Sequence, residues 1–239
     1  MSGGAGCEFV MRSVRFITWN CRSGSLDVRL AQLNKYRPDV VFLQECAPTE
    51  HTPCTWRVNA RKSIALVGLS SDFELSPLTA SVAAGRASVA ASFGGRHAFS
   101  VIGIWGQLPN YVDDVLRTLA AHSARLREGR AIVMGDFNSG IKLRGRRTLS
   151  TGHQKIVNAC ADLGLVSAYH AFNKVEHARE KHATYYHQFK TTQPWHIDYC
   201  FVPAAWVNGL TNVQVLNGKI WARHSDHRPL IVDLVPPGQ

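Results

Sequence analysis

Residues 14–45 constrain the fold more than any other stretch. Val14-Arg15-Phe16-Ile17-Thr18-Trp19 is rich in β-branched and aromatic residues and reads as a strand. Asn20 to Ser25 reads as a loop. Leu26, Leu30 and Leu33, with Val28 beside them, form a helical stripe; Ser25 suits the N-cap, and Pro38 closes the helix. Asp39-Val40-Val41-Phe42-Leu43-Gln44-Glu45 is a second strand, too apolar to keep a face in water. A strand, a helix and a strand in this order imply parallel strands in a covered sheet, joined by a right-handed crossover. Asn20 and Glu45 then end neighbouring strands at one sheet edge, where open α/β sheets bind ligands.

Residues 51–105 carry shorter candidate strands: Thr55–Asn59, Ser63–Leu69, Phe73–Leu75, Ala87–Phe93 and Ala98–Trp105. Gly, Pro and Ser separate them, as in an antiparallel meander. A helix follows, with Asn110 as N-cap and Asp113 and Asp114 in its first turn, running to about Arg127. Ala131 to Ser139 begins as a buried strand and ends in Gly135, Asp136, Asn138 and Ser139, which favour turns. If the backbone stays extended through Phe137, Asp136 and Asn138 point to the same side. Taken alone, the stretch fits an ordinary strand exit equally well. A helix over 153–163 stops at Gly164, and His196–Val202 is a strand with Asp198 inside it. Val213–Leu216 is another strand, Ser225–Pro229 a turn, and Leu230–Leu234 the final strand. The two halves share a strand–helix–strand order, which suggests two sheets facing each other.

At 239 residues the chain makes one domain or at most two small ones. With 45% hydrophobic and 18% charged residues it is not a disordered chain. A formal charge of +10, spread along the sequence, favours a polyanionic partner. None of the six cysteines forms a C-x-x-C pair, so a zinc ribbon is not expected, and Cys160 and Cys200 lie in patterns that suit buried thiols. Met1 to Val10 lack a signal-peptide core, and no apolar run reaches the ~18 residues of a membrane span. The expectation is a cytoplasmic monomer with a leader at 1–13 and a single domain at 14–235.

A buried strand rarely tolerates an ionised carboxylate without a partner. Asp198 lies between Ile197 and Tyr199-Cys200-Phe201, while Glu45 and Asp136 cap apolar runs and Asp226-His227 precedes the last strand. Each alone fits a strand's wet end; together they suggest a shared site. Such a set of Asp, Glu, Asn and His without thiolates suits a hard cation, Mg²⁺ or Mn²⁺.

Thr18-Trp19-Asn20, Leu43-Gln44-Glu45, Gly135-Asp136-Phe137-Asn138-Ser139, His196-Ile197-Asp198-Tyr199 and Ser225-Asp226-His227-Arg228-Pro229-Leu230 occur in this order across residues 14–235. They resemble the signatures of the endonuclease/exonuclease/phosphatase superfamily. The resemblance implies an α/β four-layer sandwich, two packed mixed β-sheets flanked by helices, and metal-dependent hydrolysis of phosphate esters. It also implies Glu45 as principal metal ligand, helped by Asn20 and Asp226. Asp136 and Asn138 correspond to the pair that holds and activates water, His227 to the histidine on the scissile phosphate, and Asp198 to the carboxylate that orients it. Two departures stand out. Apurinic endonucleases carry an acidic residue where this chain has Arg22, and the family's Tyr or His before the middle helix is replaced by the choice of Trp105 or Gln107.

Lys142, Arg144, Arg146 and Arg147 form a basic loop just beyond Asp136, read either as a phosphate-binding loop or as a solvated one. Arg22 and Gln107 are further candidates for phosphate contact. His153, His170, His177, His182 and His187 show no zinc-ligand spacing with a supporting Cys or Glu and read as surface or core residues. His196 is a neighbour of the Asp198 strand position. Tyr185, Tyr186, Phe189 and Trp195 fit core packing better than base stacking. The expected function is a Mg²⁺-dependent phosphodiesterase acting on DNA or RNA. The alternatives are a phosphatase or phosphodiesterase of a small molecule or lipid head group, and an inactive nucleic-acid-binding relative.

Overall fold

Strand β1 (Val14–Asn20) pairs in parallel with β2 (Val40–Cys46) through the crossover helix α1 (Leu26–Leu33), as the first 45 residues imply. The computed structural model describes residues 12–47, 55–57, 59, 61–79, 84–95, 98–142 and 147–237. The expected leader at 1–13 therefore falls almost wholly outside the described residues.

The strands of the 51–105 stretch are antiparallel but divide between two sheets. β3 (Thr55–Arg57) and β4 (Ser63–Gly68) extend the β1–β2 sheet, whereas β5 (Leu75–Leu78), β6 (Ser88–Phe93) and β7 (Phe99–Trp105) begin the second. Local alternation cannot reveal that split, because both sheets ask for the same pattern. Asn110 caps α2 (Tyr111–Ala121), its side chain accepting from the amides of Val112 and Asp113. The helix breaks at His122 before α3 (Ser123–Arg127), so the expected continuous helix is two.

The chain continues through β8 (Ala131–Asp136), α4 (Arg147–Asp162), β9 (Leu165–Ser167) and α5 (Ala168–Asn173). A small ribbon, β10 (Tyr185–Tyr186) and β11 (Pro194–Trp195), precedes β12 (Asp198–Pro203). β13 (Leu210–Val215), α6 (Lys219–Ala222) and β14 (Leu230–Leu234) complete the fold. One sheet has the order β13-β14-β1-β2-β4-β3, and the other β5-β6-β7-β8-β12-β9.

Alternating side chains sort into layers. Phe16, Phe42, Ile64 and Leu66 of the first sheet meet Phe93, Val101, Ile132 and Met134 of the second. Ile17, Trp19, Val41 and Leu43 point the other way, onto Leu26, Leu33 and Trp221 of α1 and α6. Ile102, Ile104 and Val133 pack under Val112, Val115, Ile156 and Cys160 of α2 and α4. The result is the four-layer α/β sandwich with helices outside both sheets. Each fully buried Phe or Leu contributes about 1.5–3 kcal/mol. Gly135 lets β8 approach β7 closely just before Asp136: a Cβ there would lie 1.9 Å from the Ile104 carbonyl oxygen, and its φ of +141° is one that side-chain-bearing residues rarely adopt. Cys21, Cys46, Cys160 and Cys200 are buried free thiols, and burial pushes Cys200 up to about 12. Among the described residues no helix is long and apolar enough to cross a membrane.

Candidate active site

The ends of four strands meet at one edge of the sandwich. Asn20 ends β1, Asp136 ends β8, and Asp198 opens β12 directly opposite Asp136 in the antiparallel pair. Glu45 sits at a β-bulge between Gln44 and Cys46 with a φ of +61°, which breaks the strand's alternation and re-aims its side chain. The Nδ2 of Asn20 donates to Oε1 of Glu45 at 3.2 Å and to Oδ2 of Asp136 at 2.9 Å, joining the two sheets. Asn20 thus presents its amide nitrogen to these carboxylates, while its oxygen accepts from the backbone N–H of Arg22.

The backbone does not stay extended past Asp136. Asn138 adopts a left-handed φ of +50°, which asparagine tolerates, and its backbone N–H folds back to donate to Oδ1 of Asp136 at 2.9 Å. Phe137 between them is drawn into the core, stacked on Phe201 at 5.8 Å. The Asn138 side chain donates to the Gly106 carbonyl at 3.1 Å.

The turn before β14 is tied to β1. Ser225 Oγ donates to the Asn20 carbonyl at 2.7 Å and accepts from the His227 N–H at 2.9 Å. His227 is thereby held between two carboxylates, with Nδ1 2.9 Å from Asp198 Oδ2 and Nε2 3.8 Å from Asp136 Oδ2. Thr184 Oγ1 accepts the N–H groups of both Ile197 and Asp198, fixing the start of β12.

These contacts set the charge states. Burial pushes His227 down, but Asp198 and Asp136 outweigh it and raise the imidazole to about 9. Burial pushes Asp136 up to about 7, with the His227 charge and the Asn20 and Asn138 hydrogen bonds opposing it. Asp136, Asp198 and His227 each offer a ligand atom within 4.8 Å of the others. With both ring nitrogens facing carboxylates, the group is better suited to holding a proton than a metal, since an imidazolium has no lone pair to give.

Asp226 is half-buried in the same turn and adds its negative field at His227 and Tyr185. Arg22 is exposed at the rim, its guanidinium 4.4 Å over the exposed Phe189 ring. Gln107 folds its amide onto the carbonyls of Trp105 and Gly106, so its nitrogen is occupied. Lys142 is exposed and lies 3.9 Å from Glu180, which is not one of the strand-end group. Arg144 and Arg146 lie outside the described residues, and Arg147 opens α4.

Lys62 and Tyr185 join the strand-end group from outside the sequence motifs. The Lys62 ammonium pairs with Oε2 of Glu45 and lies 5.6 Å over the Trp105 ring. Tyr185 covers His227, with ring centroids 4.4 Å apart, and its hydroxyl meets His187 Nδ1 at 2.9 Å. The residue type before β4 carries no signal for Lys62; only the β2–β4 pairing places it. Tyr185 offered a weak signal, an aromatic beside Thr184 upstream of the Asp198 motif.

A profile of the Endonuclease/Exonuclease/phosphatase family matches residues 17–227. The chain belongs to this family. It is accordingly a phosphoesterase, a hydrolase of ester bonds. Among solved structures, the endonuclease domain of TRAS1, a telomere-specific non-LTR retrotransposon, superposes with a TM-score of 0.70 at 12% identity, covering 94% of this chain and 99% of that one. A 3'-5' exonuclease (NExo) from Neisseria meningitidis gives 0.65 at 19% identity over 92% and 99%. An AP endonuclease from Archaeoglobus fulgidus gives 0.67 at 18% over 92% and 98%. At these identities the likeness establishes the fold. No curated protein sequence matches the chain.

Proposed function

We infer that this phosphoesterase cleaves phosphodiesters of nucleic acid with Mg²⁺ or Mn²⁺. The observation that carries the reading is the fixed pairing of Asp136 with His227. Both oxygens of Asp136 are held by amide donors, and a positively charged imidazole lies beside them. Asp136 is the general base that takes a proton from the attacking water, which a carboxylate near 7 does efficiently at neutral pH. Asn138 orients Asp136 through its backbone N–H. His227, charged and backed by Asp198, neutralises developing charge on the phosphoryl oxygens. Asn20 places Glu45 and Asp136 in register.

The surroundings of Glu45 fit a hard cation. The donor is a carboxylate without thiolate neighbours, and the Lys62 ammonium already sits against it as a cation does. Glu45 and Asp226 would hold the metal, with Asn20 steering Glu45. When bound, the ion supplies charge neutralisation and polarises the phosphoryl group.

The nucleic-acid assignment rests on the +10 charge and on Arg22 stacked over Phe189 at the rim, a cation and an aromatic face that suit a phosphate and a base. The similar proteins are described as nucleases, and one NExo structure, described as a 3' phosphatase, is bound to a product DNA hairpin. A substrate panel tests the reading: single- and double-stranded DNA, abasic DNA, RNA, phosphoinositides, sphingomyelin and a chromogenic diester, each with Mg²⁺ and with EDTA. EDTA-sensitive cleavage of a polynucleotide is expected. Turnover confined to a lipid or small phosphoester would reject the substrate assignment, and EDTA-resistant turnover the metal.

A further inference from the structure

Behind β8 and β12 lies a buried histidine cluster that the proposed reaction does not use. His170 on α5 sets Nδ1 on Ser167 Oγ at 2.7 Å and turns Nε2 to Oε1 of Glu180 at 3.1 Å. The loop after α5 returns His177 onto His170, with ring centroids 3.6 Å apart. One ligand atom each from His170, His177 and Glu180 lies within 4.8 Å of the other two. His196 enters from the segment before β12, its ring centroid 5.8 Å from that of His170 and the planes 75° apart. His153 on α4 closes the cluster, 5.9 Å from His177.

The cluster is under-satisfied. His153 uses Nδ1 on Ser139, and His196 uses Nδ1 on the His182 carbonyl, yet the Nε2 atoms of both are buried without a partner. Nδ1 of His177 is likewise buried and unpartnered. His153 is fully buried and His196 is 6% exposed. Burying unpaired imidazole nitrogens is costly, and each such atom in a native fold asks for an explanation. Burial and the neighbouring histidines also hold these rings neutral, with His153 down to about 3 and His177 to about 4. Burial lowers His196 to about 4 as well. Neutral imidazole is the form that binds metal.

We propose that His170, His177 and Glu180, completed by His196, bind a divalent transition-metal ion of the zinc class. Three imidazoles and a carboxylate form a tetrahedral zinc donor set, whereas Mg²⁺ prefers oxygen ligands. With metal–nitrogen bonds of about 2.1 Å, two imidazoles on one tetrahedral ion place their centroids about 5 Å apart, near the spacing of His170 and His196. His170 and His177 are closer than that, so His177, half-buried on the loop after α5, is the ring that swings on binding. Lys142, exposed and 3.9 Å from Glu180, yields its place to the ion. Such an ion would tie the 174–183 loop to α5 and to the entrance of β12, two residues before Asp198, and so brace the active-site edge from behind.

Untagged protein stripped of metal and titrated with Co²⁺ tests this. The expected result is the intense visible absorption of tetrahedral Co²⁺, saturating at about one equivalent and displaced by Zn²⁺ but not by excess Mg²⁺. Glu45→Gln should keep the signal, since Glu45 is outside the cluster. His177→Ala and Glu180→Gln should each weaken binding by more than about tenfold, with circular dichroism confirming that the variants fold. Zn²⁺ should raise the unfolding midpoint of the wild type and not of His177→Ala. If the wild type shows no tetrahedral Co²⁺ spectrum, the proposal falls whatever the variants do. It also falls if His177→Ala and Glu180→Gln both bind as the wild type does, or if Glu45→Gln abolishes the signal.

Discussion

The Lys62 ammonium pairs with the Glu45 carboxylate across the bulge that interrupts β2. A metal on Glu45 must displace that ammonium, so the lysine opposes metal binding. Lys62→Met is expected to tighten Mn²⁺ binding by about two- to fivefold, the range that a partly exposed ion pair is worth. Glu45→Ala should weaken it severely. Mn²⁺ titration followed by electron paramagnetic resonance reads both, and an unchanged affinity in Glu45→Ala would remove that residue from the metal site.

Asp136→Asn retains the shape of a fully buried side chain and removes the proposed base. Hydrolysis should fall by about 10²- to 10⁴-fold, the usual scale for a positioned general base. The fold should remain, as judged by circular dichroism. Wild-type turnover in this variant would end the proposed role.

The pH profile follows from the two shifted groups. Activity should rise as Asp136 loses its proton near 7 and decline as His227 loses its own near 9, giving a bell. The stability effect of His227 has a defined sign. Its native value lies above the ordinary 6.5, so its contribution is complete below 6.5 and is lost as pH rises through about 9. Denaturant midpoints between these limits should fall more steeply for the wild type than for His227→Asn; parallel curves would contradict the charged state assigned to the ring.

Tyr185 lies over His227, the residue that the proposed reaction sets against the phosphate, and its hydroxyl meets His187 Nδ1. Tyr185→Phe keeps the ring and removes the hydroxyl, and should lower kcat by roughly tenfold, about one hydrogen bond to a charged group. An unaltered kcat would mark the tyrosine as packing.

Replacing Arg144, Arg146 and Arg147 by Ala should raise KM for a polynucleotide more than for a small chromogenic diester, and flatten the salt dependence of polynucleotide cleavage. Equal effects on both substrates would show these arginines to play no part in holding a polynucleotide.

The apolar runs of β1, β2, β8 and β14, the Asn110 cap and the crossover through α1 were legible in the chain because they depend on neighbours in sequence. The motif residues Asn20, Glu45, Asp136, Asp198 and His227 stood out only as a set: each alone fits a strand's wet end or a turn, but polar groups recurring at several strand ends in the order of the family's signatures point to one site. Tertiary structure alone decided the remainder. It assigned the short strands of residues 55–105 to separate sheets, since pairing is a long-range choice. A left-handed turn at Asn138 and a bulge at Glu45 re-aimed two side chains that strand alternation would have pointed elsewhere. Lys62 reached Glu45 through strand pairing, and Tyr185 was laid over His227 by a small ribbon. His170, His177, Glu180 and His196, whose spacing carries no metal signature, became one cluster because α5, its following loop and the start of β12 converge on the same buried volume.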